Sequence, residues 1–568
     1  MKIPVYFKSY KSETPNDGYW DYGLIKDLMS DQLWKPVNGY EFEFDYSNLP
    51  LSRVNRVVPM RGMDGGVVVI PARYHFDKID EINEDIKSLK WVIVMLIGDE
   101  DGSFPTEKLV HDRMKVYLML PHGKREKVDR YLPNGYPEGM REVMKEYGNE
   151  FLEKKNGWFF AGQVTHKRRI ECIEGLRDVD TNNGLLIETE SFTKGIKKED
   201  FWREMVSSKV AVCPSGAVVP DSFRLYEALE GGCFPLVDNL PPNKKIDDFW
   251  RLIFGDRELP FTLVNSWKRI KDTINFHNDV YPHTANKVYA WWQNYKRELV
   301  YNLRDDIFTF VGSPERNGLI DNITVVIPSS FIKSHPSTEI IEETIRRVRE
   351  HLPECEIIIT FDGLREEYRV FRSQYDEYIR RMLWKCNFEY KNVLPVVLEN
   401  HEHQIGEFRA VIGMVKTSMV LYNEHDTPIC EEIPFEKMVG IIEKGEANVI
   451  RLHHEALILP VHRNLMLDSS PINVMGVPMV RTGQWSQRPH LASTDFYKKI
   501  LFEFFKPDAY GMIEDGILGR VQESFYRRGQ AGWNENKVMI YAPEGDMKRS
   551  YNLDGRESES KFEDTFKY

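Results

Sequence analysis

Short apolar, β-branched runs alternate with helical patterns along most of this chain. In the first third the runs are GGVVVIPAR (65–73), WVIVMLIGDEDG (91–102) and VYLMLPHG (116–123). A loop-rich stretch, RYLPNGYPEG (130–139), leads to a second series: GWFFAGQVTHKRR (157–169), NGLLIETE (183–190), KVAVCPSG (209–216) and GCFPLV (232–237). Aromatic-rich helices are expected around 285–304, and TFVGSPERNGLIDN (309–322) has the Gly, Pro and Asn content of a linker. A fresh series then opens with ITVVIP (323–328). Ile341, Ile345, Val348 and Leu352 share one face of the next helix, and Pro353 stops it. EIIITFDG (356–363), a charged helix and NVLPVVLEN (392–400) follow. A helix over 404–417 carries Ile405, Phe408, Ile412 and Val415 on one side and feeds SMVLYNEHD (418–426). Such alternation predicts α/β layers throughout. The expected units are 1–140 and 141–310, a linker at 311–322, a further unit at 323–540 and a polar, poorly ordered tail at 541–568.

With 568 residues the chain is too long for a single core. A composition of 42% hydrophobic and 29% charged residues is that of a folded globular protein. The net charge of −12 argues against general nucleic-acid binding, which needs a basic footprint, although a local basic groove stays open. Six scattered cysteines form no CxxC pair and several sit in apolar runs, so buried free thiols in a reducing, cytoplasmic setting are expected over disulfides or zinc. The opening MKIPVYFKSYKSETP lacks the apolar core of a signal peptide, and no run of 18 apolar residues predicts a membrane span.

The most informative stretch of the first half is VVPDSFRLYEALEGGCFPLVDNLPP (218–242). Pro220-Asp221-Ser222 signals a helix start with Asp221 or Ser222 as the cap. Arg224 and Glu227, three apart, share a face near that start. Free N–H groups at a helix N-terminus favour an anion, Arg224 suits a bidentate clamp, and Glu227 suits a ribose diol. From the spacing alone, a helix cap plus an Arg–Glu surface pair fits equally well.

The segment from Cys213 to Val237 resembles the exostosin family of glycosyltransferases. Cys213, Pro214, Gly216, Ser222, Arg224, Glu227, Ala228, Gly232, Cys233 and Pro235 fall on its pattern. The resemblance implies a GT-B fold, two Rossmann-like halves facing a cleft, with 1–140 on the acceptor side and 141–310 on the donor side. It implies that Gly216, Ser222, Arg224 and Glu227 contact a nucleotide-sugar. FFAGQVTHKRR resembles the family's strand–Gly–loop–Arg element, so Gly162 would permit close backbone approach and Arg168 or Arg169 would reach the diphosphate. A chance basic cluster at 167–169 is the alternative. An inverting enzyme of this kind needs a base on the acceptor side. Asp99, Glu100 and Asp101 lie just beyond an apolar strand, with Asp99 and Asp101 as candidates. A solvated acidic turn explains them as well.

In the second half a hydrophobic strand ends in Glu424-His425-Asp426, and alternation points both acids to one side. Two carboxylates at a strand end suit a hard divalent ion bridging a diphosphate. The order of elements over 320–540 resembles a family-two GT-A glycosyltransferase. That resemblance implies donor binding by Pro328 in ITVVIPSS, Asp362 in ITFDG and Arg409 in GEFRAVIGMVKTSMVLYNEHD. It implies Mn²⁺ or Mg²⁺ on Glu424 and Asp426, in this module only. It makes Asp515 in MIEDGILGR the base, with Glu514 beside it. Acids stabilising a helix macrodipole are the alternative there. The family has two acids where ITFDG has one, and an Asp where Glu424 stands. RTGQWSQRPHLASTDFY (481–497) offers Trp485, Arg488 and His490 for an acceptor sugar, or as aromatic packing around Tyr497. His453 and His454 suit either a third metal ligand or a strand end.

The expectation is therefore an α/β chain with two glycosyltransferase modules, each transferring a sugar from a UDP- or GDP-linked donor to an oligosaccharide or glycan acceptor, without nucleic acid or a membrane span. Two rivals stand beside it: a transferase acting on hydroxymethylated DNA bases, and a degenerate module serving as a sugar-binding platform.

Overall fold

The computed structural model describes residues 2–10, 19–30, 41–46, 65–189, 195–243, 246, 248–312, 318–430, 432–452, 460–545 and 548–553. The chain divides into two compact units, Met1–Glu315 and Arg316–Tyr568. Both are α/β.

The first unit holds two parallel sheets. Strands β1 (Lys2–Phe7), β2 (Glu41–Asp45), β3 (Gly66–Pro71), β4 (Val92–Ile97), β5 (Met114–Met119) and β6 (Arg130–Leu132) run in the order β2-β1-β3-β4-β5-β6. Strands β7 (Asn156–Gln163), β8 (Gly184–Thr189), β9 (Ser208–Cys213), β10 (Phe234–Asp238) and β11 (Thr262–Val264) run β11-β10-β9-β7-β8. Every pairing in both sheets is parallel. Helices cover such sheets on both faces, so β4 reads as an unbroken apolar run, VIVMLI, buried at every position. Each sheet reverses direction beside its first strand, leaving a crevice at the carboxyl ends of the strands. Strand β1 lies outside the expected elements, because Pro4 interrupts its short apolar run.

One helix, His283–Val311, ties the two sheets of this unit together. Its middle packs on the second lobe, where Trp292 meets Tyr226 with ring centroids 5.7 Å apart. Its end reaches the first lobe, where Asp306 accepts from Tyr117 Oη and Arg130 Nε, both at 2.6 Å, and Phe310 stacks on Trp91. Between them lies a fully buried charge cluster. Lys296 Nζ lies 2.9 and 2.8 Å from the two carboxylate oxygens of Glu230. Trp292 Nε1 donates to the same group at 2.7 Å, and Arg141 also pairs with it. Arg141 in turn lies 3.6 Å from Asp27, which accepts from Tyr136 Oη.

The second unit is built on one nine-stranded sheet. Its strands are β12 (Ile323–Ser329), β13 (Glu356–Phe361), β14 (Val393–Val397), β15 (Met419–Tyr422), β16 (Val449–Leu452), β17 (Ile472–Val474), β18 (Val477–Arg481), β19 (His490–Ser493) and β20 (Val538–Tyr541). They run β14-β13-β12-β15-β19-β16-β20-β18-β17. The first four pair in parallel, and β19 is antiparallel to both its neighbours. The crevice between β12 and β15 is again a switch point.

The expectation of a polar tail over 541–568 is corrected in part. Arg549, Ser550 and Leu553 are buried. The Cys430 N–H donates to Arg549 O, the Tyr551 N–H to Pro428 O and the Leu553 N–H to Asp426 O. Residues 549–553 therefore strap the loop that carries Asp426, satisfying three of its backbone groups. Residues 554–568, and 313–317 of the expected linker, lie outside the described residues. No disulfide forms among the described residues, and five of the six cysteines are buried.

The charge cluster sets a stability test. Glu230→Ala leaves Arg141 and Lys296 buried without their shared counter-ion and should cost about 3–5 kcal/mol. Glu43→Ala, at the exposed Lys2–Glu43 pair, should cost less than about 1 kcal/mol. Urea unfolding of the two variants checks the contrast.

Candidate functional site

In the first unit a cavity of about 730 Å³ opens at the carboxyl ends of β7, β8 and β9. Glu100, Leu120 and Asn134 reach it from the first lobe. The second lobe supplies the Gly162 end of β7, the loop from Gly216 and the helix Phe223–Glu230. That helix starts sharply because Ser222 is extended, with φ −151° and ψ 151°. It ends sharply because Gly232 adopts φ +62°, which favours glycine. Ser222 Oγ is buried beside the first turn and has no partner among the described residues, so it is no side-chain cap.

Arg169 and Arg224 line this cavity side by side. Arg224 Nε donates to Ala161 O at 2.9 Å, and Arg169 donates to Ser215 O and Gln163 O. Neither forms an ion pair among the described residues. Burial, with Arg224 next to it, pulls Arg169 down to about 9. Burial lowers Arg224 too, against the pull of Glu227. Two half-buried guanidiniums without an ion-pair partner among the described residues, next to a helix N-terminus, make an arrangement suited to an anion.

Gly162 has a role the sequence did not reveal. A Cβ there would lie 2.0 Å from Arg224 Nη2. The missing side chain is the passage through which Arg224 crosses the end of β7. Gly216 is constrained similarly, since a Cβ would lie 2.6 Å from Asp221 O. Glu227 is buried, accepts from Trp202 Nε1 at 2.9 Å, and is pushed up by burial.

Two expectations in this unit are corrected. Arg168 does not reach the cavity: its guanidinium grips Asp238 through Nε (3.1 Å to each oxygen) and Nη2 (2.5 Å), and Glu171 through Nη1. Asp99 is fully buried, accepts from the Ser103 and Phe104 N–H groups and pairs with Arg125 at 3.0 Å, so it fixes its loop. Asp101 is exposed, and Glu100, paired with Arg73 at 2.9 Å, is the acid of that loop that lines the cavity. Asn134, Trp202, Lys197 and Lys198 also line it, and no sequence signal marked them.

In the second unit the acids gather at the ends of β12, β13 and β15. The His425 N–H donates to Pro328 O at 3.2 Å, which joins the two strand ends. Glu424 Oε1 accepts from Gln404 Nε2 at 2.7 Å and Tyr422 Oη at 3.1 Å. Burial, with the Asp426 carboxylate beside it, pushes Glu424 up to about 8; Glu514 adds to this and Arg488 opposes it. Glu514 accepts from the Gln487 N–H at 3.0 Å, and Asp515 is exposed one residue on. Asp362 is buried and accepts from the Gly363, Glu402 and His403 N–H groups. His401 Nδ1 approaches it at 2.5 Å.

No group of three or more His, Cys, Asp or Glu among the described residues is arranged to hold a metal. Glu424 and Asp426 nonetheless suit a divalent ion: two crowded hard carboxylates are the donor set that such an ion takes when phosphate oxygens and water fill its remaining positions. His453 and His454 lie outside the described residues.

Three further expectations are corrected here. Arg409 donates to the carbonyls of Leu501, Phe505, Lys506 and Pro507, so its guanidinium caps a chain turn. Trp485 is 1% exposed and packs edge-on against His490. His490 is fully buried, stacks between Tyr422 and Tyr497, and is pulled down to about 4 by burial. Both are core. Arg488 stays half-buried beside Glu424, and the buried Arg451 near it, with an unpartnered Nε, went unmarked in the sequence.

No family model matches the chain. No curated protein matches it either. Solved structures similar to it include S. aureus TarS 1-349, at 12% identity over 41% of this chain and 60% of that one, with a TM-score of 0.26. The same protein in complex with UDP-GlcNAc gives 14%, 42%, 60% and 0.25. A mannosyltransferase from Pyrobaculum calidifontis, in complex with GDP-Man and Mn²⁺, gives 9%, 39%, 56% and 0.25. The chain thus spans 60% or less of the length of these structures. No helix among the described residues is long and apolar enough to cross a membrane.

The neighbouring arginines separate structure from binding. Arg168→Ala strands the buried Asp238 and should cost about 3–5 kcal/mol of stability. Arg169→Ala relieves a repulsion, so it should leave the melting temperature nearly unchanged while weakening anion binding at least tenfold. Gly162→Ala should weaken binding comparably by displacing Arg224. Thermal melts and titration with a nucleoside diphosphate distinguish the three.

Proposed function

We propose that this chain is a glycosyltransferase with a nucleotide-sugar site in each unit. The observation that carries this is the pair Arg169 and Arg224, without an ion-pair partner among the described residues, facing a cavity at a parallel-sheet switch point. A diphosphate satisfies both guanidiniums and the N–H groups at Phe223 and Arg224, so this unit needs no metal to hold it. Glu227, deeper in the same wall, accepts from a ribose diol. Glu100 and Asp101 stand on the opposite lobe, where an acceptor hydroxyl must lose its proton.

The second unit solves the same problem with acids. A Mn²⁺ or Mg²⁺ ion on Glu424 and Asp426 would supply charge neutralisation to a departing diphosphate. Gln404 and Tyr422 hold Glu424 in place, and Pro328 fixes the backbone between the two acids. Asp362 holds the turn after β13 through three N–H groups. Asp515, exposed at the start of the helix Ile513–Arg528, takes the acceptor proton, while Glu514 orients the Gln487–Arg488 loop. The donors fitted by these sites are UDP- or GDP-linked sugars, and the acceptor is a glycan.

The test is a panel of nucleotide-sugars and oligosaccharide acceptors, followed by nucleotide release and product mass. Arg224→Ala should weaken donor binding to the first unit by about 2–4 kcal/mol. Asp515→Asn should abolish one transfer and Glu227→Ala the other, with EDTA suppressing only the transfer that Asp515→Asn removes. Loss of both transfers from either single substitution would point to one shared site. Absence of nucleotide release with every donor would overturn the proposal.

A further inference from the structure

The cavity of the first unit contains an acid where an anion is to bind. Asp221 precedes the helix Phe223–Glu230 and lines the cavity, with 1% of its surface exposed. Its Oδ2 accepts from Tyr226 Oη at 2.9 Å and from the Asn134 N–H at 3.3 Å. Among the described residues its Oδ1 has no hydrogen-bond partner. Asn134 Oδ1 and Ser222 Oγ, also buried and lining the cavity, have none either. An ionised carboxylate would repel a diphosphate seated at that helix start. A neutral carboxyl would instead present an O–H to it.

We propose that Asp221 is a contact residue of this anion site and engages the ligand in its protonated form, donating from Oδ1 to a phosphate oxygen. The proposal rests on the nucleotide-sugar reading of the cavity. Tyr226 and Tyr295 face Asp221 from the two helices beside it, and both hydroxyls are held neutral by burial. Arg169, Arg224, Lys197 and Lys198 stand around the cavity with Glu100 and Glu227, but no cation among the described residues pairs with Asp221. Burial therefore dominates and pushes its carboxyl up to about 7. His166, next to Arg169, is pulled below its ordinary value by burial and loses its charge at lower pH. A ligand that prefers the protonated acid takes up a proton where Asp221 is ionised. Affinity should be greatest below about pH 7 and fall as pH rises above it, by up to about tenfold per unit.

The experiment is calorimetric titration of the full chain with UDP-glucose and GDP-mannose, whose diphosphate diesters do not titrate between pH 6 and 9. EDTA silences the second unit, and Arg224→Ala identifies the heat that belongs to the first. The expected result is a Kd that rises about tenfold between pH 7 and 8.5, with proton uptake seen as a dependence on buffer ionisation heat. Asp221→Asn, which mimics the neutral acid, should bind with a pH-independent Kd. Wild-type binding with a flat Kd and no proton uptake overturns the role of Asp221 without touching the site, and so does an unchanged slope in Asp221→Asn. The proton-uptake measurement needs no variant, so it decides the matter even if Asp221→Asn folds poorly. No binding of either probe at any pH overturns the nucleotide-sugar reading itself.

Discussion

Glu230 holds the first unit together. It sits fully buried at the end of the helix that opens on the anion cavity, and it neutralises Lys296 and Arg141 from two other helices. Burying such charges is costly, and only complete mutual pairing repays the cost. Burial pulls Lys296 well below its ordinary value, with Arg141 adding to the effect and Asp27 opposing it. The same desolvation pushes Asp27 upward, against the attraction of Arg141. The geometry of the cluster fixes where the helix Phe223–Glu230 ends, and hence where its other end meets the cavity. The two lobes share one helix, His283–Val311, so the cavity walls are referred to a common spine.

The two candidate sites are opposites in charge and alike in logic. Arg169 and Arg224 crowd two guanidiniums, and Glu424, Asp426 and Glu514 crowd three carboxyl groups. Each cluster is expensive when empty, because burial strengthens repulsion. Each becomes favourable when a counter-charge enters. Such arrangements are typical of functional sites, where strain is kept for the ligand to relieve. Both stand at switch points of parallel strands, where chain direction leaves a crevice that side chains do not fill.

The architecture was legible wherever burial on both faces imposes a continuous apolar run, as in β3, β4, β12 and β13. It was less legible where strands are short or antiparallel, as in β17 to β19, where three to five residues carry too little pattern. The site was legible at the level of segments but not of individual side chains. Arg168 and Arg169 are adjacent in sequence, yet helical rotation turns one to Asp238 and the other to the cavity. Only a partner 70 residues away decides which is which. Likewise Trp485 and His490 belong to the core because β19 pairs with β15, placing His490 opposite Tyr422. Gly162 differs in another way: it makes room for a neighbouring side chain, where the family resemblance implied close backbone approach to a ligand.

The strap at 549–553 has a consequence for the order of events in biosynthesis. The loop bearing Asp426 obtains three of its backbone bonds from residues made about 120 positions later, a contact of high sequence separation. A growing chain can pair β12, β13, β14 and β15 well before those partners emerge. The second unit would thus acquire its sheet first and its finished acid loop last. Until then the loop bearing Asp426 lacks these three backbone bonds.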